Sequence, residues 1–428
     1  MSSSSSHRPV GREPTPDYRD DVVEDVGAGG RSARSDVATY AVVATAARSA
    51  TEAIGPALLL TALASNRAES DGAALVAAFT GLAALAGPPV GALLDRAARP
   101  GRVIGTAVAV MAAAVAALAG LVPHAPLVVL LVIAAVGGLA YPALTGGLTS
   151  QLPSIVSGPR LDRAWGIDAA TYNVGAIVGP PAAAAALVLG ATGPVLFLLA
   201  LLLVALPLVP RIPFVVREPT DARASIVRDI TTGFRGLVST PTLAYATVLT
   251  TVGFAGQAAF LVTVPLLAQR QTGSLAASGI AFGAAAVGGL ITTLYVVRRP
   301  LRHPDRGLSL TTAGIGVSFL LLAWAPAFGW SVAAAFAFGA FEGPLLTALF
   351  RIRTREADPA VRSQVFTTAA SLRTTAYAGM TAVFGAMLGL GVTTLLLIGA
   401  AVQVLAFASA AWSYRAASRR VASRLPSS

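Results

Sequence analysis

Four charged side chains stand deep inside long apolar stretches of this sequence: Arg48, Glu52, Glu342 and Arg373. A charge at the centre of a bilayer costs about 2.5–3.5 kcal/mol on insertion scales, so residues of this kind mark a function or an ion pair. Arg48 and Glu52 are spaced i, i+4, which sets them on one helix face where they can pair. At about 1.5 Å rise per residue, Arg48, Glu342 and Arg373 fall roughly 13–16 Å from one end of their helices, with Glu52 one turn deeper. A carboxyl group in a dry cavity keeps its proton until the cavity opens or an arginine approaches. Glu52 and Glu342 are therefore candidates to take up a proton, with a neighbouring arginine shifting its affinity between states. The competing expectation is two static ion pairs that hold helices in register. Asp168 and Asn173 are further candidates, with Asp168 expected nearer the mouth of its helix; Tyr172, Gln257, Tyr377 and Gln403 can line a cavity or bridge neighbouring helices.

Other chemistries find no footing. The chain has no cysteine, which removes thiolate metal sites and Cys nucleophiles. It has no lysine either, so no Gly-x4-Gly-Lys phosphate loop exists. His7, His124 and His303 lack a metal-ligand partner at helical spacing. The expectation is a protein that is not an enzyme, with no metal and no cofactor.

The elements that must position these charges are membrane helices. Of 428 residues, 55% are hydrophobic and only 12% charged, where a soluble domain carries about a quarter charged. Crossing a bilayer takes roughly 20 apolar residues. Runs of that length fall near 38–63, 72–94, 102–121, 126–150, 163–189, 192–210, 241–268, 275–297, 308–326, 329–350, 361–388 and 392–414. They are too long and too uniformly apolar for barrel strands, which alternate. The predicted fold is thus an all-α integral membrane protein of twelve transmembrane helices in two six-helix halves. The expected organisation is a disordered cytosolic tail at 1–36, a first half at 37–210, a linker with an amphipathic helix at 211–239, a second half at 240–415 and a basic tail at 416–428.

Arginine gives the orientation. With the N-terminus in the cytosol, 27 of the 31 arginines lie in cytosolic segments and only Arg67 and Arg270 lie opposite, the positive-inside bias. Both termini are therefore expected in the cytosol. The charge balance of +11 is read as membrane topology, with no nucleic-acid partner.

The halves echo one another. GLAYPALTGGL (138–148) resembles GAFEGPLLTAL (339–349), and AATYNVGAIVG (169–179) aligns with AASLRTTAYAG (369–379) at an offset of 200 residues, as in transporters built from repeats. Between the second and third spans, Gly91-Ala-Leu-Leu-Asp95-Arg96-Ala-Ala-Arg99-Pro-Gly-Arg102 resembles the loop signature of the major facilitator superfamily. That pattern runs Gly-x-Leu-x-Asp-Arg, then Gly, Arg and Arg or Lys; Ala98 stands where the family has glycine. Gly91 is expected to admit a neighbouring helix closely. Asp95 is expected to cap a helix N-terminus, and Arg96 and Arg99 to hold the loop inside, so that the cluster gates one conformation. The family's second copy is reduced to VVRRPLRHPDR (296–306) and has lost the acid.

In the fifth span, Gly166-x8-Gly175-x3-Gly179-Pro180-x2-Ala183-Ala184 resembles the same family's antiporter motif, with alanines for its last two glycines. Gly175 and Gly179 permit tight packing and Pro180 permits bending. Asp168, Tyr172, Gly175 and Gly179 share one stripe. The arginine usual in the fourth span of the family's drug exporters is missing here. The resemblance implies a drug:proton antiporter-like exporter working by alternating access in a bacterial plasma membrane. Its partners are a small organic molecule, protons and the bilayer, and it acts as a monomer. Proton-coupled uptake of a metabolite, and a non-transporting receptor or assembly protein on the same fold, are the alternatives.

Overall fold

A computed structural model describes residues 25–156, 160–214, 231, 234–299, 302–358 and 362–422. Among them twelve long helices follow in order: α1 Asp25–Ala64, α2 Glu69–Arg96, α3 Pro100–Leu121, α4 Leu127–Pro142, α5 Arg160–Ala185, α6 Gly193–Ala205, α7 Pro241–Thr272, α8 Ser278–Arg298, α9 Pro304–Ala323, α10 Phe328–Glu356, α11 Arg362–Ala386 and α12 Val392–Ala422. The connections are short and punctuated by local signals. Thr240 caps α7, its side-chain oxygen accepting from the Leu243 N–H at 3.2 Å. Gly273 ends the same helix at φ 75°, a left-handed turn that glycine adopts without strain.

The outward faces are apolar. Val128, Val132, Val136 and Leu139 form an exposed stripe along α4, a face that water would not tolerate but lipid does. Trp324 and Trp330 are exposed at one end of the bundle, Tyr295, Trp412 and Tyr414 at the other, the two aromatic belts of a spanning protein. Among the described residues, ten of the twelve helices are long and apolar enough to cross a membrane. The two that fall short, α1 and α11, carry the mid-helix arginines Arg48 and Arg373. Their polarity is tolerated because the bundle encloses them.

The packing repeats. α1 lies against α5 and α6 as α7 lies against α11 and α12; α4 lies against α2 and α3 as α10 lies against α8 and α9; α3 meets α6 as α9 meets α12. The two sets of six join through equivalent pairs, α2 with α11 and α8 with α5. The offset of 200 residues read from the sequence is therefore a repeat in space.

That junction is tight at the end remote from the termini. A Cβ on Gly385 of α11 would lie 2.3 Å from the Ala73 Cβ of α2, and one on Gly279 of α8 would lie 2.9 Å from the Ala184 Cβ of α5. Toward the termini-bearing end the neighbours thin out: a Cβ on Gly87 would meet Ser371 only at 3.7 Å, and Gly91 has nothing within 4 Å. Among the described residues, then, the close neighbour expected at Gly91 is not found.

Element edges also differ from expectation. α1 is helical from Asp25, so the border at 37 marks where the chain becomes apolar and not where the helix begins. Extending an existing helix needs no new nucleus. For the same reason α12 runs to Ala422, into the expected tail. Residues 1–24, the end of the basic tail and most of the expected amphipathic helix in the linker lie outside the described residues.

Candidate functional site

The site starts from the stripe on α5. Gly175 and Gly179 let α1 approach so closely that a Cβ on Gly175 would lie 3.0 Å from the Arg48 carbonyl carbon, and one on Gly179 2.6 Å from the Ser49 oxygen. With the backbones that near, Arg48 crosses from α1 into α5 and is fully buried. Its Nη2 donates to Asp168 Oδ1 at 2.6 Å and to Thr149 Oγ1 at 2.7 Å, and its Nη1 donates to the Asp168 carbonyl at 2.7 Å and to the Thr171 hydroxyl. The Tyr172 ring lies under the guanidinium, 3.7 Å from its centroid. Asp168 also accepts from Tyr40 on Oδ1 and from Thr149 on Oδ2 at 3.2 Å, while the Arg48 Nε is buried without a partner among the described residues.

Two expectations change here. The partner of Arg48 is Asp168 and not Glu52, and Asp168 sits at the level of Arg48 instead of nearer the mouth. Spacing along one helix reports which residues share a face, but it is blind to an acid on the next helix. Asp168 wins because it joins two hydroxyl groups and a carbonyl around one planar fork.

Tyr40, Thr149 and Thr171 were missed by sequence reasoning. Isolated hydroxyls on apolar helices carry little signal. Thr149 depends on a π-turn at Ala143–Gly147 that continues α4 as far as Ser150. Such a turn offsets the following residues relative to an uninterrupted helix. Pro142 and the Gly146–Gly147 pair are the sequence features that permit it.

A second group lies one turn beyond. Glu52 is within electrostatic range of Glu342 and Arg48, and Arg373 within range of Glu342 and Tyr141. Tyr377 faces Glu342 as well. The structure brings Glu52, Glu342 and Arg373 from α1, α10 and α11 into one group, while Arg48, expected at the same depth, is bound to Asp168. All three are partly exposed. Among the described residues none of them closes a direct ion pair, which departs from the expectation of two static pairs. Arg373 rests over the Phe254 ring at 4.4 Å, and that ring packs on Tyr377 at 4.8 Å.

The other candidates are placed apart. Asn173 is exposed on α5 and joins neither group. Gln403 donates to the Gly253 carbonyl at 2.9 Å and ties α12 to α7. Pro180 lies within α5, and the adjacent Pro181 packs against Gly279 and Gly283 of α8. Arg96 and Arg99 are exposed at the α2–α3 turn; Gly166 lies within α5, and its surroundings and the Asp95 side chain lie outside what is described. In the second loop, whose motif acid is missing, Asp305 near the start of α9 receives Arg355 Nη1 and Nη2 at 3.1 and 2.9 Å.

The profile of the Major Facilitator Superfamily matches residues 40–379. No curated protein matches the chain in sequence. Among solved structures, the nucleoside transporter NupG superposes with a TM-score of 0.67 at 14% identity, covering 87% of this chain and 99% of that one. The human organic anion transporter MFSD10 (TETRAN) gives 0.60 at 16% identity, with 89% and 99% covered. The peptide transporter POT in complex with sulfate gives 0.67 at 15% identity, with 90% and 94% covered.

Proposed function

The chain belongs to the Major Facilitator Superfamily, and from that premise we propose that this multi-pass secondary transporter couples proton movement to the efflux of a small organic molecule. The observation that carries the reading is the contrast in commitment among the membrane charges. Arg48 and Asp168 close a buried ion pair at 2.6 Å, whereas among the described residues Glu52, Glu342 and Arg373 share a partly exposed group without a direct ion pair. Two carboxyl groups beside one arginine can bind and release a proton as water and substrate enter and leave.

The termini-bearing face is the cytosolic one, an assignment supported by the arginines concentrated there. In this orientation the close contacts of Gly385 with Ala73 and of Gly279 with Ala184 lie at the outward end. Blocks 37–210 and 240–415 rock about the α2–α11 and α5–α8 contacts, and the protein works as a monomer in a bacterial plasma membrane. Efflux is supported by the α5 stripe, whose glycines and Pro180 follow the antiporter-like pattern. Proton-coupled uptake of a metabolite is the second reading, favoured by the absence of an arginine from residues 127–148.

Purified protein in liposomes with an imposed proton gradient, challenged with a panel of organic compounds, tests the proposal. A transported compound is expected to move against the proton flux. Movement in the same direction as protons would select uptake. Glu52→Gln and Glu342→Gln are expected to uncouple transport, and full coupling in both variants excludes the carrier role.

A further inference from the structure

A cavity of about 730 Å³ opens at the termini-bearing end between α7, α9, α10 and α12, away from the central charges. Its cationic groups differ in what they are already doing. Arg355 is committed, bound to Asp305 through two nitrogens and to Glu356 Oε1 through Nε at 2.9 Å. Arg306 and Arg415 also line the cavity, both exposed, and neither closes an ion pair among the described residues. The walls between them are largely apolar: Leu310, Ala411 and the rings of Tyr245 and Tyr414, which meet edge to face at 6.4 Å. The Tyr245 hydroxyl is held by Ser309 at 2.8 Å.

The mouth continues into lipid-facing surface on both sides. Leu310, Val317 and Leu321 are exposed along one stripe of α9, and Val404, Leu405 and Trp412 along one of α12. A free phosphate or a soluble metabolite would make no use of these stripes. A molecule with an anionic head and long apolar tails would use all of it.

We propose that this cavity binds the headgroup of an anionic phospholipid, with its phosphate between Arg306 and Arg415 and its acyl chains along the α9 and α12 stripes. Basic pockets between membrane helices recognise such headgroups through charge, while flanking aromatic side chains fix their depth. The ligand joins α9 to α12 within the second set of six helices. The proposal does not rest on the transport reading.

The test uses full-length protein reconstituted with phosphatidylcholine alone or with added phosphatidylglycerol, then released into detergent for native mass spectrometry. Wild type is expected to retain one phosphatidylglycerol and no phosphatidylcholine. R306Q/R415Q is expected to bind that lipid roughly 30-fold more weakly, as the loss of two cationic contacts implies. Arg355 is left in place because it holds α9 to α10. Brominated phosphatidylglycerol supplies a second readout, since it should quench Trp412 in the wild type and quench it less in the double variant. Thermal unfolding of both proteins in detergent identifies a variant that has lost its fold, in which case R306Q and R415Q are measured singly. Equal retention of the anionic lipid by folded wild type and variant overturns the proposal. So does equal competition by soluble glycerol phosphate, which would mean an anion site without a lipid requirement.

Discussion

In the first six helices the membrane arginine, Arg48, is on α1 and its ring, Tyr172, is on α5. In the last six the arginine, Arg373, is on α11, the counterpart of α5, and its ring, Phe254, is on α7, the counterpart of α1. Donor and ring have exchanged helices between the repeats, and their surroundings diverge. Asp168 compensates Arg48 at 2.6 Å; the position equivalent to Asp168 is Thr368, which offers no charge. Gly179 admits the Ser49 carbonyl of α1, whereas its counterpart Gly379 has nothing within 4 Å. The first repeat has thus become a packed joint. The second keeps an arginine whose electrostatic partner, Glu342, forms no direct ion pair with it among the described residues.

The strongest way to break this comparison is Asp168→Ala. Removing one partner of a buried pair leaves a bare charge and costs about 3–5 kcal/mol. The variant should unfold at a clearly lower temperature in detergent and lose transport. A melting temperature equal to wild type would show that Arg48 is not held as described.

A smaller effect separates the two glycines. Gly179→Ala drives a methyl group against the Ser49 oxygen and should destabilise by about 1–3 kcal/mol, the usual range for overpacking. Gly379→Ala enters open space and should be neutral or stabilising by up to about 1 kcal/mol, from helix propensity alone. Similar losses in both would mean that α11 is gripped as firmly as α5.

Arg373→Gln should disturb the fold less than Asp168→Ala. It gives up a partly exposed cation–ring contact worth about 0.5–2 kcal/mol, yet it removes the charge that faces Glu342. Stability should fall by no more than that while proton-linked transport falls steeply. A loss of fold as large as that of Asp168→Ala would erase the distinction between joint and responsive charge.

Much of the architecture was legible beforehand. The twelve apolar runs predict the helices to within a few residues in the middle of the bundle, because crossing lipid imposes both a length and an unbroken backbone ladder. The α5 stripe was legible too, since Asp168, Tyr172, Gly175 and Gly179 recur at helical spacing and all face α1. The partner of Arg48 was not. Nothing in the run containing Thr149 reveals that a π-turn lies just before it, and one hydroxyl on an apolar helix looks like any other. The role of Asp305 was hidden in the same way, since its partner Arg355 lies 50 residues away on a different helix.

Composition and order along the chain therefore determined that this is a helical membrane protein, how many long helices it has, that it repeats, and which charges lie at mid-depth. Those properties follow from the solvent, which acts on each helix by itself. Tertiary structure decided which charges meet. The rotation of one helix about its axis and its distance from the next are set by small residues pressed backbone to backbone. A guanidinium reaches only the acid that this packing brings within a few ångströms.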